Sequence, residues 1–307
     1  MSIADSMRLL WVEGLSDCTG ARSWTTEKLF RPSNVTVMAV RHDDFSIYLG
    51  NPKQSTQYFA HEVDRFASAS FESLLTDTKS EAYPRATGWL LIRAYYAAFF
   101  SVHALLRLHG WACTRLSTEN LKSINSDIKL FFPGGRSFFA GLYLIKSETN
   151  GRELRCRPLD SSVGGSHEIL WSLLSTYLDE VTTVILSNPN VDGQALAVLI
   201  DEFSTRINRF GGPKWFTTIR NRLNYAHEYG AWFPYIKSTS DYDRLQNVLA
   251  TWCTTPNETL AILGDDELMK YASACAFLVS LCCTTTRDLT YRSKSNSPFR
   301  QSCGLLV

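Results

Sequence analysis

An arginine and a histidine stand seven residues apart in a helix predicted from Lys214 to about Glu228. At about 100° per residue, seven steps return to within roughly 20° of the start, so Arg220 and His227 are expected on one helix face. Asn224 falls between them on that face. A guanidinium can hold a phosphate, and an imidazole can move a proton near neutral pH. The pattern therefore favours RNA cleavage as the chemistry of this segment.

Arg222 is an alternative partner for His227, at a spacing of five residues. Five steps place it well around an ideal helix from the imidazole, so helical geometry favours Arg220. Asn221 or Asn224 is then expected to position the phosphate. Cleaving RNA without a metal also needs a base for the 2′-hydroxyl and an acid for the leaving oxygen. Since one histidine cannot hold both protonation states at once, two chains are expected to share a cleft, each with one Arg/His pair.

The strongest helical pattern in the chain runs over residues 86–108. Apolar residues recur at three- and four-residue steps, which predicts a helix that is buried along one face. A second stripe on the same helix combines aromatic and basic side chains. It is equally compatible with a binding site, a subunit interface or an ordinary solvent-exposed surface. As a site, this stripe provides three candidates for substrate binding, namely Arg93, Tyr96 and His103.

The histidines and cysteines show no metal-binding pattern. Six histidines lie far apart without paired ligand spacing, and eight cysteines lack C-x-x-C spacing. We therefore expect no metal and no cofactor, and we expect the reduced thiols of a cytoplasmic protein. Phosphate-binding glycine loops and nucleophile elbows are missing from the sequence as well. The most apolar segment, from Tyr271 to Cys283, is too short to predict a membrane span.

The composition is that of an ordinary globular protein, with 45% hydrophobic and 20% charged residues. A net charge of only +1 argues against a general nucleic-acid coating protein, so any RNA contact is expected to be local. Periodicity predicts a mainly α fold. The segment 1–53 carries a predicted β-hairpin, and a helical domain over 54–287 has a β insertion at about 130–160. The segment 288–307, rich in Ser, Arg and Lys, is predicted to be a disordered basic tail.

The stretch from Arg220 to Tyr229 resembles the signature of the HEPN superfamily, the helical-bundle domains of many bacterial toxins and antiphage effectors. That signature is an arginine, often followed by a polar residue such as Asn, then four to six residues and a histidine. Arg220 with His227 fits the longer spacing. Arg222 with His227 and Tyr229 fits the form R-x4-H-x-Y, which is seen in HEPN toxins paired with a nucleotidyltransferase antitoxin. The segment from Arg93 to Leu106 looks like the A-Y-Y-A helix of one HEPN branch, although HEPN domains are usually much shorter than this chain.

The resemblance implies an HEPN-like antiparallel helical bundle and a metal-independent endoribonuclease that leaves 2′,3′-cyclic phosphate ends. It implies a homodimer with a composite cleft, acting as a toxin or antiphage effector under an antitoxin or regulatory partner. No membrane partner is expected, because the most apolar segment is too short to span a bilayer. Tyr229 is a candidate site for modification by such a partner, and the plainer role for it is packing at the helix end. The alternative is a non-catalytic HEPN-type binding or adaptor subunit of a defence or toxin–antitoxin complex. The residues with an implied catalytic role are Arg220, Asn221, Arg222 and His227.

Overall fold

The computed structural model of the chain describes residues 3–20, 24–31, 35–75, 86–148, 151–160, 165–189, 193–235, 241–262 and 266–307. This part of the chain is mainly helical and includes a small antiparallel sheet, so the prediction of a mainly α fold is confirmed. In chain order, the helices are α1 (Ile3–Arg8), α2 (Pro52–Leu74), α3 (Thr87–Leu108), α4 (Thr118–Phe131), α5 (Ser166–Ser187), α6 (Gln194–Asn208), α7 (Lys214–Asn221), α8 (Tyr242–Ala250), α9 (Pro256–Ala261), α10 (Glu267–Arg292) and α11 (Pro298–Gln301).

The described part of the chain has the strands β1 (Val35–Val40), β2 (Phe45–Leu49), β3 (Trp111–Leu116), β4 (Gly141–Ser147) and β5 (Glu153–Pro158). They form one antiparallel sheet in the order β1-β2-β5-β4-β3. The predicted N-terminal hairpin and the predicted β insertion are both confirmed, and the pairing of β2 with β5 joins them. The edge strand β1 belongs to the hairpin, whereas the other edge strand, β3, follows α3 and was not predicted. The boundary between residues 53 and 54 stays a prediction.

Helices α3 and α10 form the apolar centre of the fold and pack against each other. The predicted helix over 86–108 is confirmed, and Gly110, with φ 77°, turns the chain from α3 into the sheet. Along α10, every residue from Tyr271 to Cys283 is buried. A helix that is buried on all sides carries small and apolar residues around its whole circumference, as this one does.

Helices α3, α5 and α10 are long and apolar enough to cross a membrane when they are judged by length and composition alone. The run from Tyr271 to Cys283 was expected to be too short, but the helix that contains it extends over 26 residues. Much of each helix is buried inside the fold, from 50% of the apolar window in α5 to 89% in α10. The cytoplasmic location stays a prediction.

The prediction that residues 288–307 form a disordered tail is wrong. Helix α10 continues to Arg292, and both Phe299 and Cys303 are fully buried. Asp64 on α2 accepts hydrogen bonds from the backbone N–H of Cys303, at 3.0 Å, and from the hydroxyl of Ser302. The composition of this segment is mostly polar, and the prediction gave too little weight to its few apolar residues, which are buried in the core.

The predicted helix from Lys214 to about Glu228 is wrong at its end. Helix α7 stops at Asn221, and a π turn follows from Arg222 to Ala226. The backbone of His227 then adopts the left-handed region, with φ 50° and ψ 32°, which ends the helical path. Sequence periodicity cannot distinguish this turn from a regular helix, because the same apolar residues suit both.

Candidate functional site

Arg220, in the last turn of α7, lies half-buried against α3. Its Nη2 donates to the hydroxyl of Tyr96 at 3.1 Å, and its Nη1 donates to Oδ1 of Asn221 at 2.9 Å. Its Cζ lies 5.9 Å from the ring centre of Tyr95 and 5.6 Å from that of Tyr225. These partners are neutral, and no described carboxylate forms an ion pair with Arg220. The guanidinium therefore keeps an uncompensated positive charge that suits an anionic ligand.

His167, near the start of α5, lies beside the same pair of tyrosines. Its Nδ1 is 2.8 Å from the hydroxyl of Tyr95, its ring centre is 6.0 Å from that of Tyr96, and it stacks on Phe99 at 4.4 Å. Burial lowers the pKa of His167, and the positive charge of Arg220 lowers that pKa further. The structure thus brings a neutral imidazole to the surroundings of Arg220.

Sequence reasoning missed His167 as a candidate, because its position far from Arg220 in the chain gives no spacing to read. The available signal was the Tyr95-Tyr96 pair on a helix with a second aromatic and basic stripe. That stripe predicted a site on α3 without indicating which other element would face it. The fold is needed to show this contact, because α3 and α5 are distant in sequence.

His227 and Arg222 lie on the exposed side of the same segment. The side chain of His227 forms no hydrogen bond or ion pair with any described residue, Arg220 included. Arg222 donates to the hydroxyl of Tyr229 at 3.2 Å, and it lies 3.7 Å from the carboxylate of Glu228 and 3.9 Å from that of Glu267. The charge of Arg222 is therefore offset by two carboxylates, unlike that of Arg220.

The π turn changes the geometric comparison of the two arginines. An i→i+5 turn rotates the chain less per residue than an α-helix, so His227 does not return over Arg220 as predicted. The backbone N–H of His227 instead donates to the carbonyl of Arg222, one wide turn earlier. The same-face argument for Arg220 is thus wrong, whereas the difference in charge compensation favours Arg220. Which arginine acts with His227 stays a prediction.

Among the residues predicted to bind substrate, Tyr96 contacts Arg220. Arg93 is exposed and donates to the carbonyls of Ser73 and Leu75, at 3.0 Å in both cases, so it satisfies the C-terminal end of α2. His103 is buried, and its Nδ1 accepts from Arg107 at 3.0 Å. The structure does not bring Arg93 or His103 to Arg220.

Asn224 and Tyr229 occupy the end of the segment. Asn224 is half-buried within the π turn. The hydroxyl of Tyr229 donates to Glu267 at 2.9 Å, and this side chain packs partly against the core. Burial raises the pKa of Tyr229 to about 12. A modifying partner would have to displace the bond to Glu267, and the role of Tyr229 as a modification site stays a prediction.

Comparison of the chain with protein-family models, with curated proteins and with solved structures found no match. The candidate site therefore depends on the geometry described above. It consists of an arginine with uncompensated charge, a neutral histidine and two tyrosines between them, with an exposed histidine farther along the same segment. The residues of this site are Tyr95, Tyr96, His167, Arg220, Asn221 and His227.

Proposed function

We propose that this protein is a metal-independent endoribonuclease of the HEPN type, built on an HEPN-like antiparallel helical bundle. Arg220 binds the scissile phosphate, and His227 transfers a proton during cleavage. The observation that carries the proposal is the half-buried guanidinium of Arg220, whose partners Tyr96 and Asn221 leave its charge uncompensated. A fixed arginine of this kind stabilises the negative charge that develops on a phosphorane.

Cleavage proceeds by attack of the 2′-oxygen on phosphorus and by breakage of the bond from phosphorus to the 5′-oxygen. A base takes the proton of the 2′-hydroxyl, and an acid gives a proton to the 5′-oxygen, so the products are a 2′,3′-cyclic phosphate and a 5′-hydroxyl. His227 is exposed, and its imidazole is free of hydrogen bonds to the described residues, so an RNA can reach it. Because each chain supplies one such imidazole, the active form is a homodimer in which two copies of His227 share the two proton transfers.

The test is to incubate the purified full chain with total RNA in EDTA and to map new ends that carry 2′,3′-cyclic phosphate. The variants are His227→Ala and, as a matched control, His42→Ala, which alters another exposed histidine with a side chain 90% accessible. We expect cleavage by the wild type and by His42→Ala, and none by His227→Ala. Cleavage that survives His227→Ala overturns the role of His227.

The second candidate function is a non-catalytic HEPN-type binding or adaptor subunit. Exposed aromatic side chains near the same segment favour it, since Tyr225 is 72% and Phe233 is 77% accessible. Such side chains are typical of surfaces that bind another molecule. This function predicts no cleavage and no growth inhibition when the chain is expressed in bacteria. A toxin or antiphage effector, by contrast, inhibits growth unless an antitoxin or regulatory partner restrains it.

A further inference from the structure

A chain of hydrogen bonds fixes the ring of His167. The indole N–H of Trp171, which can only donate, donates to the hydroxyl oxygen of Tyr95 at 3.1 Å. That hydroxyl lies 2.8 Å from Nδ1 of His167. Because its oxygen already accepts from Trp171, the Tyr95 hydroxyl can use its own proton to donate to Nδ1. This arrangement leaves the imidazole proton on Nε2.

Two N–H groups near Tyr96 lack partners within the described part of the chain. No described residue bonds to Nε2 of His167, whose ring centre is 6.0 Å from that of Tyr96. The Nε of Arg220 is buried and has no hydrogen-bond partner either, while its Nη2 donates to the Tyr96 hydroxyl. A buried donor without an acceptor costs free energy, and a ligand oxygen that accepted from it would recover that cost.

We propose that His167 and Arg220 form a subsite for a phosphate group, in which His167 donates a hydrogen bond from Nε2 and transfers no proton. That the phosphate belongs to RNA rests on the proposed function; the subsite itself accepts any phosphate oxyanion. Arg220 supplies the charge, and His167 supplies a fixed neutral donor. Donors that are already oriented stabilise charge on the non-bridging oxygens as it develops.

The surroundings of His167 support a neutral ring. Among the described residues, the groups that face it are Tyr95, Tyr96, Phe99 and His103 from α3 and Arg220 from α7, and none of them carries a carboxylate. Burial and the charge of Arg220 lower the pKa of His167. A protonated ring would also place a second positive charge beside Arg220, where no carboxylate of the described residues offsets it.

Two substitutions separate a neutral donor from an acid–base group and from a packing role. His167→Phe keeps the ring stack on Phe99 and removes both nitrogens, and we expect kcat for RNA cleavage to fall about 10²–10³-fold. His167→Gln retains a side-chain N–H donor, and we expect it to recover most of that loss with the shape of the pH–rate profile unchanged. Activity retained in His167→Phe and lost in His167→Gln would reduce His167 to packing. Loss of one limb of the pH profile in His167→Gln would make it an acid or base, and either result overturns the proposal.

A second measurement does not depend on catalysis. Long-range ¹H–¹⁵N NMR of the full-length protein reports which imidazole nitrogen of His167 carries the proton, and His167→Gln identifies its signals. We expect the proton on Nε2, and we expect inorganic phosphate to shift the Nε2 signal in the wild type and in His227→Ala but not in Arg220→Met. Sodium chloride at matched ionic strength is the control.

Failure of this inference and failure of the proposed function give different results. A proton on Nδ1, or no response of Nε2 to inorganic phosphate, overturns the subsite even if the protein cleaves RNA. A phosphate response that requires Arg220, in a protein that cleaves no RNA, supports the subsite and overturns the ribonuclease proposal.

Discussion

The guanidinium of Arg220 donates a hydrogen bond to the hydroxyl of Tyr96, 124 residues away in the chain, at 3.1 Å. This bond joins the last turn of α7, where one of the two segments resembling HEPN domains begins, to α3, which carries the other. It also orients a planar cation, because a bond at one terminal nitrogen restricts rotation of the whole guanidinium. Tyr96 is therefore the residue through which α3, the helix with the strongest predicted pattern, positions the cation of the candidate site.

Arg220→Met and Arg222→Met remove the same charge from neighbouring positions and should differ in effect. We expect Arg220→Met to lower the rate of RNA cleavage by about 100-fold or more, because the lost charge faces the phosphate. We expect Arg222→Met to lower it by less than about tenfold, because Glu228 and Glu267 already offset that charge. Initial rates on one defined RNA provide the comparison. The reverse order would assign the phosphate to Arg222, in agreement with its R-x4-H spacing.

The sequence was sufficient for elements whose burial follows a regular period. The helix over 86–108 was predicted because its apolar residues repeat at helical spacing, and the structure buries that face. The end of α7 could not be predicted, because the π turn over Arg222–Ala226 contains residues that a regular helix also accepts. Tertiary packing therefore determines where the side chain of His227 lies, and sequence periodicity does not report that packing.

The candidate site was predictable only in part, for a related reason. Arg220 and Tyr96 were identified from local patterns, and the structure brings them into contact. His103 was identified from the same stripe as Tyr96, yet it is buried and bonded to Arg107. A stripe of residues on one helix face does not show which of those residues are covered by neighbouring helices. His167 required knowledge of how α5 packs on α3, which no spacing in the sequence conveys.

His103 should make folding stability depend on pH. Its Nδ1 accepts from Arg107, and burial together with the charge of Arg107 holds the pKa of His103 well below its ordinary value of about 6.5. The unfolded chain therefore binds more protons at this position as the pH falls below about 6.5, so the free energy of unfolding decreases there and is retained above it. One such proton contributes a slope of up to about 1.4 kcal/mol per pH unit.

Urea unfolding of the wild type and of His103→Phe between pH 7.5 and about 5.5 checks this expectation. The free energy of unfolding should fall less steeply with decreasing pH in the variant. The comparison uses the slope, because the substitution also removes the bond to Arg107 and lowers stability at every pH. Identical slopes in the two proteins would contradict a buried neutral imidazole at His103.

Gly88→Ala should destabilise the contact between α3 and the segment that follows His227. A Cβ at Gly88 would lie 2.5 Å from Cε2 of Trp232, which is too close for the indole to keep its place. We expect a loss of about 1–3 kcal/mol in the free energy of unfolding, as for other overpacked contacts. Trp232 also donates to the carbonyl of Leu223 in the π turn, at 2.7 Å, so RNA cleavage should fall with stability.

The matched control is Gly50→Ala, because a Cβ at Gly50 would meet no atom within 4 Å. Chemical denaturation of both variants measures the difference in the free energy of unfolding. Equal stability of Gly88→Ala and Gly50→Ala would mean that Trp232 can move without cost, and it would remove this link between α3 and the π turn.

Phe299→Ala tests whether the C-terminal segment belongs to the core. Phe299 is fully buried, whereas Tyr291, near the end of α10, is 81% accessible. Removing a buried phenylalanine side chain costs about 3–5 kcal/mol, while an exposed substitution usually changes stability by less than about 0.5 kcal/mol. We therefore expect Phe299→Ala to lower the urea midpoint strongly and Tyr291→Ala to leave it almost unchanged. If both variants matched the wild type, residues after α10 would contribute nothing to folding, as their polar composition alone had predicted.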